Sequence, residues 1–146
     1  MSQLTFNLVK FLEQILDSSV TVLDAFPEEE SASLPIVVVQ HLESPGRPAE
    51  LGGTLENMDH SYNIQVLGKN KGQRDELLVT IYKHLRDDNI TFYDLKVVDG
   101  KVVLDQSKPL TKIFFHPRRY RSLPAISEHP YDRYRGIVDL VLTQMF

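Results

Sequence analysis

The chain has 146 residues, no cysteine and a formal net charge of −4. That length suits one domain with a full hydrophobic core. The missing cysteines exclude a disulfide framework and a thiolate metal site, and no apolar run approaches the roughly 20 residues that span a bilayer.

From the N-terminus, MSQLTFNLVKFLEQ carries Glu13 inside its apolar pattern and no cleavage-like site, so it does not read as a secretory leader. The expectation is a soluble, cytoplasmic domain over 1–146. Leu4, Leu8, Phe11, Leu12, Ile15 and Leu16 recur at helical spacing and predict a surface helix ending near Asp17–Ser19. Val20 to Phe26 reads as a short apolar connection. Pro27 followed by Glu28, Glu29 and Glu30 marks an exposed loop. The three glutamates read first as a solvated turn, with a cation or a basic partner as the alternative.

Leu34 to Leu42 (LPIVVVQHL) is continuous and β-branched, which predicts a strand covered on both faces. Residues 43–54 hold two prolines and three glycines, too long a connection for a tight hairpin. They read as a long β-hairpin arm, with Arg47 and Glu50 as charges that could meet a neighbour. The next strand alternates strictly. Met58, His60, Tyr62, Ile64 and Val66 fall on one face and Asn57, Asp59, Ser61, Asn63 and Gln65 on the other. Gly68 and Gly72 bracket a turn, and Leu77, Leu78, Ile81 and Leu85 then return at helical spacing.

Arg86 to Asn89 stops that helix. Ile90–Val98 and Lys101–Leu104 flank Asp99-Gly100, the pattern of a hairpin with a type I′ turn. A loop over Asp105–Leu110 leads to Lys112–Arg121 (KIFFHPRRYR), where Pro117 indicates an edge strand or a bulge. Ser122 to Pro130 is a second proline-containing loop. In the last segment Tyr134, Gly136, Val138, Leu140 and Leu142 alternate with Arg133, Arg135, Ile137, Asp139 and Val141. The fold class expected is α+β, a single mixed or antiparallel sheet with two helices on one face and a long β-hairpin arm.

Charge is unevenly spread. Residues 1–60 hold ten acids against Lys10 and Arg47, a balance of −8, and residues 61–146 hold fourteen Lys and Arg against ten acids, a balance of +4. Such polarity suits head-to-tail self-association. The plainer alternative is two differently charged solvated faces.

The five histidines (41, 60, 84, 116 and 129) show no metal-binding spacing, and the usual acyl-transfer, P-loop and dinucleotide signatures are absent. His60 lies in the apolar phase of its strand, which favours a hydrogen-bonded core or interface histidine over a ligand. The residues point away from an enzyme and imply no cofactor. The most concentrated positive charge is Lys112 with His116-Pro117-Arg118-Arg119-Tyr120-Arg121. Alternation puts Arg118 and Tyr120 on one face and Arg119 and Arg121 on the other. Subunit contact ranks first for this stretch, protection of a sheet edge second, and contact with DNA third.

The order of these elements resembles the tail-terminator (tail-completion) proteins of long-tailed bacteriophages and related neck proteins. The resemblance lies in an N-terminal helix, LPIVVVQHL, a Gly/Pro-rich arm, HSYNIQVLGKNKGQRDELLVTIYKHL and the late Arg-Tyr-Arg-Gly-Ile-Val-Asp-Leu strand. It implies a structural virion protein forming a homohexameric ring at the head-proximal end of the tail. There it ends tail-tube polymerisation and joins the tail to the head connector. The partners implied are the chain itself, the tail-tube protein, the head–tail connector protein and DNA passing transiently through the ring, with no membrane. Assembly takes place in the host cytoplasm and the product resides in the virion. Candidate subunit-contact or lumen residues are Lys112, Arg118, Arg119, Arg121 and Glu28, Glu29 and Glu30. The alternatives are a neck or head-completion adaptor and, from another class, a nucleic-acid-binding accessory protein.

Overall fold

The computed structural model of the chain describes residues 3–26, 33–43, 46–48, 56–124 and 133–145. The apolar stripe of the first segment forms α1 (Gln3–Ile15), which buries Leu4, Leu8, Val9 and Leu12. After it come β1 (Thr21–Leu23), β2 (Ile36–Glu43), β3 (Gly46–Pro48) and the alternating strand β4 (Glu56–Gly68). The helix α2 (Lys71–Asp87) follows β4 directly, and then β5 (Tyr93–Val98), β6 (Lys101–Pro109), β7 (Ile113–Leu123) and β8 (Tyr134–Met145).

The main sheet runs β1-β2-β4-β8-β7, with β3 added on β4. β1 is parallel to β2 and the remaining pairs are antiparallel, so the sheet is mixed and the fold is α+β. Val37 and Val39 of β2 stand opposite Val66 and Ile64 of β4. Ile64 and Tyr62 in turn stand opposite Val138 and Leu140 of β8. These residues form one layer, and Leu8 and Leu12 of α1 with Leu78, Ile81 and Leu85 of α2 pack on it in a single cluster. Both helices therefore cover the same face. A smaller cluster of Ile36, Val38 and Leu67, joined by Leu23 and Leu34, lies on the other. The two-sided cover expected of β2 holds for Ile36–Val39, all fully buried, and ends where His41 and Leu42 reach solvent.

Several elements differ from the sequence expectation. The Val20–Phe26 connection contains β1, which adds a parallel edge to β2. Asp105 to Pro109 is strand rather than loop, because Pro109 stands opposite Tyr93 after a register shift. Ser122 and Leu123 extend β7. Gly72 lies inside the first turn of α2, whose cap is Asn70, the side chain accepting from Gln73 N at 2.8 Å. β5 and β6 form their own two-stranded ribbon apart from the main sheet. Its turn has positive φ at both Asp99 (53°) and Gly100 (76°), as a type I′ turn requires.

The ribbon is tied to the core at its base. Asn7 of α1 is buried, and its side-chain amide donates to Tyr93 O while its carbonyl accepts from Tyr93 N, both at 2.8 Å. The hairpin arm is described only at its root, where Gly46 to Pro48 face Met58 to Glu56. Its tip, with Glu50, lies outside the described residues, as do Glu28, Glu29 and Glu30, most of the Ser122–Pro130 loop, and the side chain of Arg47. Among the described residues no helix is long and apolar enough to cross a membrane.

Candidate assembly surface

β7 is the outer strand of the main sheet, and its sequence suits that place. Pro117 has no N–H to offer a further strand, and a bulge between Pro117 and Arg119 interrupts pairing with β8. Ile113 and Phe115 turn toward the helices and pack against the core. Beyond the bulge the phase is reset. Tyr120 now stands opposite buried Val138 and packs against Tyr82 of α2, ring centroids 5.1 Å apart and planes tilted by 56°. The Arg86 guanidinium lies over the Tyr82 ring, 5.8 Å from its centroid.

Arg119 and Arg121 therefore point to the helix-free face, where both meet Asp139 of β8. Arg119 Nε is 2.9 Å from Asp139 Oδ2 and Arg121 Nε 3.9 Å from the same oxygen. The arginine side chains remain 66% and 47% exposed, so the pair orients them more than it stabilises the fold. Arg135 joins the same face opposite Leu123. Arg118 is the extra, exposed residue of the bulge, and Lys112 is exposed at the start of the strand with φ of 62°. The expected split of Tyr120 from Arg119 and Arg121 is present, whereas Arg118, expected on the face of Tyr120, sits in the bulge and has no register partner on β8. Sequence reasoning did not single out Asp139 and Arg135, which carried a signal as charged residues in the polar phase of the last strand.

The inner strands continue this face with amides and hydroxyls. Gln65 donates to Gln40 across β4 and β2 at 3.0 Å, and Thr143 donates to Asp59 at 2.8 Å. On the helix side, near the root of the arm, the His41 ring lies 5.5 Å from His60 and 4.9 Å from Tyr62. The Tyr62 hydroxyl shares a buried 2.9 Å hydrogen bond with Thr5. Burial, and then the neighbouring His41, hold the His60 imidazole below its ordinary pKa, against a hydrogen bond with Gln144 and the charge of Asp59. His60 is thus a half-buried, hydrogen-bonded histidine of the sheet.

The ribbon carries exposed apolar surface, Val97 most of all. Cross-strand register sets Leu95 opposite Leu104 and Val97 opposite Val102, making one aliphatic face. Val97 is 70% exposed, and Val98 and Val102 also reach solvent. An open groove of about 630 Å³ runs between α1, the end of α2 and the ribbon, lined by Lys10, Gln14, Asp88, Thr91 and Gln106. Asn7, which also lines it, has its amide saturated by Tyr93 and Gln3. Among the described residues no three His, Asp or Glu side chains are placed to hold a metal ion. In comparison with known proteins, the chain matches no protein-family model and no curated sequence.

Proposed function

We propose that this chain is a structural virion protein, a ring-forming tail terminator at the head-proximal end of a phage tail. In this role it works by assembly, ending growth of the tail tube and presenting a surface to the head connector. The observation that carries the reading is the β5–β6 ribbon. A two-stranded ribbon that pairs with no third strand is marginally stable in water, and this one carries the aliphatic side chains of Val97 and Val102 in solvent. A neighbouring subunit that covers Val97 and Val102 accounts for both features. Ring closure needs two different complementary surfaces on each subunit, and the ribbon supplies one of them.

The order of elements supports the same reading: an N-terminal helix, a β-rich strand, the root of an arm, a long strand running straight into a helix, and a closing strand. Lys112 and Arg118, exposed along the β7 edge, are further contact candidates. Mass spectrometry of purified virions from the encoding phage, with immunogold labelling, tests the assignment. One ring of copies at the head–tail junction is the expected result. Absence of the chain from purified particles contradicts it.

A further inference from the structure

The helix-free face of the sheet presents a row of cations that the core does not require. Arg119 and Arg121 share it with Arg135 of β8, and Phe114 and His116 occupy the same phase upstream on β7. Phe114 is 47% exposed. Among the described residues Asp139 is the acid that pairs with Arg119 and Arg121, and one carboxylate cannot neutralise two guanidinium groups. Asp59, the other described acid on this face, lies two strands in from Phe114 and accepts from Thr143.

Edge protection does not account for this arrangement. A blunted edge needs only charge or proline on the outer strand, and Pro117 with its bulge provides that already. Arg135 sits on an interior strand, where it protects no edge. Asp139 instead fixes the directions of Arg119 and Arg121, leaving both largely open to solvent. Two residues apart on one face of a strand, Arg119 and Arg121 have Cα atoms about 7 Å apart, and their guanidinium groups converge on Asp139 Oδ2, close enough together to serve one phosphate or two neighbouring ones.

We infer that this face binds the phosphodiester backbone of nucleic acid. Arg119, Arg121 and Arg135 contact phosphates as charge-assisted donors, and the exposed ring of Phe114 offers a stacking surface to an unpaired base. The property belongs to the single subunit and does not depend on ring formation. The protein as a whole carries a net charge of −4, so its attraction for a polyanion has to come from a local cationic face such as this one.

The test is fluorescence anisotropy with a labelled single-stranded oligonucleotide of about 20 nucleotides and its duplex, between roughly 50 and 200 mM salt. The full chain is compared with the Arg119→Ala/Arg121→Ala double variant and with Asp139→Asn. Both arginines are solvent-exposed, and thermal melts check that the variants fold. Three phosphate contacts on a single strand give a log–log salt slope of about −2, which the double variant lowers in magnitude by about 1.4. The double variant is expected to bind at least about tenfold more weakly at the lowest salt, and Asp139→Asn more tightly than the parent. Equal dependence on the arginines with the duplex supports the phosphate contacts, with Phe114→Ala then leaving duplex affinity unchanged. Salt-independent binding, no binding at the lowest salt, or a double variant that binds as the parent does overturns the inference. So does a double variant that loses self-association while keeping its nucleic-acid affinity, which would assign the face to subunit contact.

Discussion

Gly136 of β8 lies directly beneath Leu78 of α2: a Cβ at position 136 would come 2.5 Å from Leu78 Cδ1 and 2.9 Å from Leu78 Cγ. Leu78 is itself almost wholly buried, so it has little room to turn aside. The helix can settle on the sheet only because this strand position carries no side chain. Gly136→Ala is expected to destabilise the protein by about 1–3 kcal/mol, the usual cost of overpacking a tight core. Chemical denaturation measures it. Combining Gly136→Ala with Leu78→Ala should cost less than the sum of the two single changes, since the second removes the atoms that clash.

The clasp between α1 and the ribbon gives a second expectation. Asn7 satisfies both backbone groups of Tyr93, so Asn7→Ala leaves them without partners and should cost about 1–3 kcal/mol. Faster amide exchange at Tyr93, with little change in the main sheet, is the expected signature. Asn7→Asp should also fail, because a carboxylate cannot donate to the Tyr93 carbonyl.

Stability should fall on mild acidification, and His60 is one cause. An unfolded histidine takes up its proton near its ordinary value of 6.5, whereas folded His60 resists protonation until the pH is lower. Between those two points the unfolded chain binds more protons, so stability present above 6.5 is lost as the pH falls toward the folded value. His60→Gln should flatten this part of the denaturant midpoint–pH curve. An unchanged curve would assign the loss elsewhere.

Legibility in the sequence followed locality. The alternation of β4, the apolar stripes of α1 and α2, and the Asp99-Gly100 turn are set by residues within a few positions of one another. Each formed where the pattern placed it. β1 is three residues long, and its parallel pairing to β2 becomes visible only once Thr21 is brought beside Ile36. The end of β6 is polar, DQSKP, and is made a strand by pairing with Tyr93 rather than by its own composition. At the candidate site, alternation alone separated Tyr120 from Arg119 and Arg121. Their meeting with Asp139 was not legible, since it depends on a bulge that resets the register of β7 against a strand twenty residues away.

The ribbon separates folding from assembly. Val97 and Val102 are exposed and pack on no core cluster. Val97→Ser with Val102→Ser should therefore change monomer stability by no more than about 0.5 kcal/mol each. If the ribbon is a subunit contact, the same pair should abolish self-association, as measured by sedimentation over a range of concentrations.

The most direct measurement is native mass spectrometry with negative-stain imaging of the purified protein, with and without tail-tube protein. A closed ring, or a cap on one tube end that limits further growth, is the expected result. A chain that stays monomeric and leaves tube length unchanged would contradict the proposed role.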